Sequence, residues 1–555
     1  MKGWIAIGVL LAIVLTYRVA TLDLAPMAQD QARDMHHAMR IAQGREFPLF
    51  GPPMSIDLSA RGSPVYHYII AAGCVIGRTP FATVIGANLL WWVAIVISWV
   101  ALSRFFGARA AAFAAVFLLI CPELLHMTDT IWNPHLAVTF SLLTFSFSLL
   151  FADSGKVGWW YGFALTGTLC CHMHPLASLT ALAFLPIVAH RPVPAKHKLV
   201  ACALCASLAA PMLIGLINES YPALSWYCLA LYVAIGPSLA IGHSVTVRFL
   251  PRLHAFYLHC FRYVWGLVLA LSIYFIVQLG SAPSRPILLL LAFFALLNVV
   301  RGRSKDGPAR GMAGYVELSV IIISLVPFVL ILTAKLALGA QPRAHYISYA
   351  VPIIAVYVGL RLFRVARGAV AGSRGLVTSR SAALNRGILL GTIILLAFGH
   401  IWNHALLVGV PYIFTFEGSR TMVEGLLEEF GNDEQLFDGR VFAYPRPAGD
   451  EDEDCAWHVY YHLLKDGYPA TARSEQTHYV LIVSGWQAPK GKYPACFLTT
   501  RKASAFKINS WDEFTELLHD LGIDTPPSPK DFWHVPFYVS GYTPEKWLKI
   551  ALAND

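Results

Sequence analysis

The feature that most constrains this chain is a succession of apolar runs, each long enough to cross about 30 Å of hydrocarbon. They recur from Gly3 to about Val408 and then cease. Lipid offers no water to satisfy backbone N–H and C=O groups, so runs of this kind must close their hydrogen bonds internally, as helices. With 56% of its 555 residues hydrophobic and only 14% charged, the chain reads as a polytopic α-helical membrane protein rather than a soluble one.

Basic residues set the count and the orientation. About 13 spans are expected, at roughly 3–20, 82–103, 109–125, 134–152, 157–171, 175–190, 198–217, 222–241, 262–280, 286–300, 316–338, 346–362 and 387–408. With the N-terminus inside, the loops 104–109, 190–198, 243–252, 301–310 and 361–386 are cytoplasmic, and about 20 of the 29 Lys and Arg before residue 410 lie inside. Counting 62–78 as a further span would throw every later Arg-rich loop outside, so that segment is expected to lie on the surface or re-enter. The Lys2-led run to Leu15 also has the form of a signal peptide. An uncleaved first span is preferred, because the helix after Pro26 follows at once and needs an anchor.

Between the first span and Pro64, outside, carboxylates, histidines, arginines and prolines crowd into one loop, residues 21–64. A helix is expected over 27–43, with Pro26 ahead of it and Gly44 as its stop. It places Asp30, Arg33, Asp34 and His37 on one face, with Met35, Ala38, Met39 and Ala42 largely on another. Six of the outside basic residues, Arg18, Arg33, Arg40, Arg45, Arg61 and Arg78, surround this loop, which marks it as a place for something anionic. Pairing with Asp23, Asp30, Asp34, Glu46 and Asp57, or contact with lipid headgroups, is the plainer explanation for any single arginine.

A first span, an outside loop with an early Asp, the AMRIAQG helix of 38–44, and the GPP and GSPVYHYI stretches at 51–53 and 62–69 together resemble the GT-C glycosyltransferases. The likeness is to the branch holding protein O-mannosyltransferases and lipid A aminoarabinose transferases. It implies a sugar taken from a polyprenyl-phosphate donor, and Asp30 as the position matching the first-loop acidic residue that serves as, or helps place, the family's base. Asp34 and Gln31 depart from the family's usual residues, which bears on the acceptor more than on the class.

Further along, Trp132-Asn133-Pro134 is similar to a motif of bacterial members, with Asn133 where others carry an Asp; a cap and turn at a helix start explains it equally well. Glu123 and Asp129 flank it on the same outer rim. In CCHMHP, His172 and His174 stand two apart, a spacing that can meet a metal only from an extended segment. A divalent cation held with His36 and His37 beside Asp30 is one reading; hydrogen bonding to sugar or phosphate is the favoured one. Arg343, His345 and Tyr346, running into a span broken by Pro352, resemble the family's RYLLPLLP-like stretch, which contacts the lipid-linked phosphate. Arg offers a planar fork to phosphate oxygens, with Tyr and His as neutral donors; interface anchoring is the competing role.

The reading is therefore an inverting glycosyltransferase of a bacterial inner membrane, with Asp30 catalytic and Asp34, His37, Arg61, Asn133, His174, Arg343, His345 and Tyr346 binding substrate. Its partners are a polyprenyl-phosphate-sugar, a lipid, glycan or protein acceptor, and membrane lipids, with no nucleic acid. Flippase or envelope-assembly roles are the alternatives. Walker, dinucleotide and zinc patterns do not occur, and few carboxylates lie within the spans as ion pumps require.

Residues 1–410 form this membrane module. Residues 411–555 change character, with 22 acidic and 13 basic residues against 11 and 29 before them. Helix-like and strand-like stretches alternate there, so a soluble α/β domain on the periplasmic side is expected. Its two cysteines, Cys455 and Cys496, are expected to form a disulfide.

Overall fold

The structure is a computed structural model. It describes residues 12–13, 16, 34, 37–38, 40–44, 46–54, 57–77, 80–128, 132–218, 221–278, 285–301, 314–325, 349–373, 379–409, 441–444, 479–484, 496–499, 503–508 and 533–534. The chain divides into two units. One comprises 1–17, 47–69 and 84–404; the other comprises 18–46, 70–83 and 405–555.

The first unit is helical. Asn133–Ser154 is its innermost helix, buried along nearly its whole length. A helix enclosed on all sides must be apolar all round, and its few polar side chains must be satisfied locally. Thr144, Ser146 and Ser148 donate to the carbonyls of Phe140, Leu142 and Phe145 at 2.6, 2.7 and 2.6 Å. Arg191 caps this helix at its end, Nε donating to Ala152 O at 3.1 Å and Nη2 to Asp153 O at 3.0 Å, where cations suit the free carbonyls.

Four described helices are long and apolar enough to cross a membrane, within 83–106, 133–154, 223–252 and 383–401, and a fifth if a bent pair counts as one span. Several expected spans are broken, and proline explains where. The run expected at 109–125 splits into Ala108–Ile120 and Pro122–Thr128, because Cys121, preceding Pro122, is extended at φ −67° and ψ 117°. The run at 198–217 becomes Ala195–Ser207 and Ala210–Asn218, bent by 47°, with Pro211 in the first turn of the second piece. The run at 175–190 is three short pieces, Pro175–Ala177, Ser178–Ala183 and Leu185–Val188.

Two loops expected from the charge pattern are helical instead. Residues 243–252 belong to a single helix, Ala223–His259, with Pro237 and Pro251 inside it. The start of the Arg-studded 361–386 continues the Val351–Ser373 helix, and its end belongs to Ser379–Gly409. Charge marks where lipid ends, but a helix bonds its own backbone and can continue into water, and Arg and Ala favour it. The segment 62–78 contains a helix of 13 residues, Val65–Gly77, which at 1.5 Å per residue is about 20 Å long and too short to span.

A partly buried polar cluster ties four helices of this unit together. Arg361 Nη2 meets Glu317 Oε1 at 2.6 Å and Asn298 Oδ1 at 3.0 Å, and its Nε donates to Tyr357 Oη at 2.9 Å. Trp265 stacks on Tyr357 with ring centroids 5.4 Å apart.

In the second unit the described strands form one five-stranded sheet in the order Cys496–Thr499, Ala503–Ile508, Tyr479–Ser484, Val441–Tyr444, Trp533–His534. Val441–Tyr444 is parallel to Tyr479–Ser484, and the other pairings are antiparallel. Within 495–508 the chain forms two antiparallel strands, Cys496–Thr499 and Ala503–Ile508. The helices expected in this part, and Cys455, lie outside the described residues.

Candidate functional site

In the first unit the outer-loop motifs are built around one close backbone approach. Gly51 N–H donates to Gly62 O at 2.9 Å and Gly62 N–H to Pro52 O at 3.1 Å, closing the base of a hairpin whose strands are Pro53–Met54 and Asp57–Arg61. A Cβ on Gly51 would sit 2.0 Å from the Ser63 carbonyl oxygen, so only glycine fits there. This accounts for the glycine of GPP; at Gly62 a Cβ would come no nearer than 3.5 Å to another atom. At the hairpin's exit, Arg61 N–H donates to Ser225 Oγ at 3.0 Å.

Ser63 then starts a helix. Its Oγ accepts the Val65 N–H at 3.3 Å, so a side-chain oxygen just ahead of Val65–Gly77 satisfies one of the free N–H groups of its first turn. The same Oγ lies 2.5 Å from Nδ1 of His172. His172 is 3% exposed and stacks on Tyr232, centroids 4.5 Å apart and planes within 19°. The Tyr232 hydroxyl borders the same turn, 4.0 Å from where a Cβ on Gly62 would sit.

His172 stands at the end of Val157–Met173, and His174 follows in extended conformation, its N–H bonded to Cys170 O at 3.1 Å. Asn133 Nδ2 donates to the Met173 carbonyl between them at 3.0 Å. The His174 ring stacks at 6.4 Å on Tyr349, whose carbonyl accepts from Ser141 Oγ at 2.6 Å. Burial pushes the imidazolium of His172 down to about 3 and that of His174 to about 4, so both rings are neutral at pH 7.

Arg61, Asn133 and His174 are thus placed, with His172, on neighbouring segments of one unit. In the second unit the helical stretch at 37–44 ends at Gly44, φ +68°, as the sequence suggested. Glu46 engages two basic residues of that stretch, with Oε1 2.8 Å from His37 Nδ1 and Oε2 3.1 Å from Arg40 Nε. Asp34 is as fully buried as Ala38, so the expected division between an ionisable and an apolar face does not hold at Asp34. Asp30, Arg343, His345 and Tyr346 lie outside the described residues. Among the described residues no group of three or more His, Cys, Asp or Glu could hold a metal ion.

Sequence reasoning passed over Ser63, Tyr232 and Tyr349, and treated His172 only as a neighbour of His174. The Ser-Pro dipeptide ahead of an apolar run is a helix-start signal that points to Ser63. Nothing local marks Tyr232, whose partner is distant in sequence.

These helices and this turn-bound polar cluster are those of a helical membrane protein. Residues 61–214 match the family model described as dolichyl-phosphate-mannose-protein mannosyltransferase, in agreement with the resemblance drawn from the first-loop motifs. The matched segment contains Arg61, Ser63, Asn133, His172 and His174. No curated protein matches the chain. Among solved structures, the chain is similar to ArnT from Cupriavidus metallidurans in the apo state, at 13% identity and TM-score 0.42 over 92% of this chain and 99% of that one. It is also similar to the Archaeoglobus fulgidus oligosaccharyltransferase in the apo form, at 14% and 0.46 over 78% and 59%. A third is arabinosyltransferase EmbB from Mycobacterium smegmatis, at 13% and 0.30 over 80% and 44%.

Proposed function

We propose that the chain is an integral-membrane glycosyltransferase of GT-C type, moving a sugar from a polyprenyl-phosphate donor to a lipid, glycan or protein acceptor outside the cytoplasm. The observation that carries this is the mannosyltransferase family match over 61–214, whose segment includes the hairpin exit at Arg61, Ser63 and the His172 bonded to Ser63. The donor's phosphate is assigned to Arg343, His345, Tyr346 and Arg61, because guanidinium forks and neutral donors suit phosphate oxygens. Asp30 takes the proton of an acceptor hydroxyl, which attacks the anomeric carbon opposite the phosphate and inverts it. The leaving phosphate needs charge stabilisation more than a proton, and a preorganised basic site supplies it. Asp34, His37, Asn133 and His174 belong to substrate binding, His37 with its contact to Glu46.

About 13 spans with the N-terminus inside put the first loop and the C-terminal α/β domain on the periplasmic side of a bacterial inner membrane. The sheet at 441–534 supports the domain, and the long apolar helices support the membrane location. Mass spectrometry of envelope lipids, glycans and proteins from cells with and without the chain tests the reading. Loss of one sugar from one acceptor class is expected; an unchanged profile contradicts it.

A further inference from the structure

We propose that His172 is a positioning residue, which holds Arg61 in place for the donor's phosphate by fixing Ser63 and the segment between them. The role of Arg61 rests on the glycosyltransferase reading; the anchoring of its backbone rests on geometry alone.

Beyond the hairpin bonds of Gly62 to Gly51 and Pro52, residues 61–65 are hydrogen-bonded at two points to helices of the first unit. Arg61 N–H is bonded to Ser225, and Ser63 Oγ meets His172 Nδ1, whose ring stacks on Tyr232. Ser225 and Tyr232 both belong to Ala223–His259, and His172 to Val157–Met173. The histidine is therefore the contact that adds a second helix and prevents the segment from pivoting about the first. Ser63 Oγ already accepts the Val65 N–H. The arrangement that uses its remaining proton is donation to Nδ1, which leaves the imidazole proton on Nε2.

The choice of residue supports the same role. His172 is buried, and its Nε2 has no hydrogen-bond partner among the described residues. A phenylalanine would fill the space and stack on Tyr232 without burying that nitrogen, and an unpartnered buried polar atom is costly. The one polar service the ring performs here is Nδ1 toward Ser63.

Three substitutions separate the ring from its nitrogen. His172→Phe keeps the stack and removes Nδ1; His172→Asn gives up the stack but keeps an acceptor near the Nδ1 position; Ser63→Ala removes the other partner. In purified full-length protein, His172→Phe is expected to raise the donor KM on the order of tenfold while kcat changes much less. Asn at 172 should recover most of the loss, and Ser63→Ala should add little on top of His172→Phe. Hydrogen-deuterium exchange over residues 57–64, read in the same samples, should quicken in His172→Phe and in Ser63→Ala and stay near wild type in His172→Asn. An unchanged donor KM in His172→Phe, with an active wild type, overturns the proposal. So does exchange that is equally slow in all variants, which reads the anchoring whether or not the wild type transfers sugar. A wild type that turns over no lipid-linked sugar refutes the functional reading instead and leaves exchange to decide the anchoring. If His172→Phe does not fold, Ser63→Ala carries both readouts.

Discussion

Arg361 and Glu317, on separate helices and both largely withdrawn from solvent, form an ion pair at 2.6 Å, and Asn298 and Tyr357 accept two further bonds from the guanidinium. Taking two charges out of water costs much of what their attraction returns, so the pair itself is worth little, while breaking it strands a charge. Arg361→Met or Glu317→Leu alone is expected to cost about 3–5 kcal/mol, and the double replacement markedly less than the two together. Thermal unfolding in detergent reads this, and additive single losses would refute the coupling.

Asn133 donates to the Met173 carbonyl, which a carboxylate cannot do. Asn133→Asp therefore sets two oxygens against each other beside the His172–His174 turn and should lower stability by about 1–3 kcal/mol, with Asn133→Gln milder. Were Asn133→Asp as stable as wild type and more active, the residue would be a ligand-binding position and not a cap on the turn.

His172 and His174 give the protein an acid limit. Their folded-state values of about 3 and 4 lie below the unfolded value of about 6.5, so the unfolded chain binds more protons in between. Stability from these neutral rings is complete above about pH 6.5 and is lost as pH falls toward 4 for His174 and 3 for His172. The melting temperature should drop between pH 7.5 and pH 5, with a shallower drop in His174→Gln. A slope unaltered by that substitution would contradict the assignment to His174.

Cys455 and Cys496 should be joined if the C-terminal part lies outside, where the environment oxidises. Closing that loop of about 40 residues would contribute roughly 3–4 kcal/mol. Alkylation of denatured, unreduced protein checks it, since labelling of both thiols excludes the bridge.

Much of the helical frame was legible in the sequence because hydrophobic length and proline position act locally: Gly44 stops its helix and Val65–Gly77 is too short to span. The continuation of Ala223–His259 through 243–252 was not, since charge reports the edge of lipid and not the end of a helix. At the site, Arg61, Asn133 and His174 could be chosen by residue type, but the bond from Ser63 to His172 joins positions 109 apart and depends on how helices pack. Asp34 illustrates the converse: helical periodicity gave it a face, yet only the fold decides which faces are buried.

The measurement that bears most directly on the account is turnover of a radiolabelled polyprenyl-phosphate-sugar by the purified protein in detergent, with cell-envelope extract as acceptor source. The wild type should release polyprenyl phosphate and label an acceptor, and Asp30→Asn should slow this by about 10²–10⁴ while remaining folded. A flippase or an assembly factor would leave the donor intact. An unconsumed donor, across acceptors of the lipid, glycan and protein classes, would contradict the account.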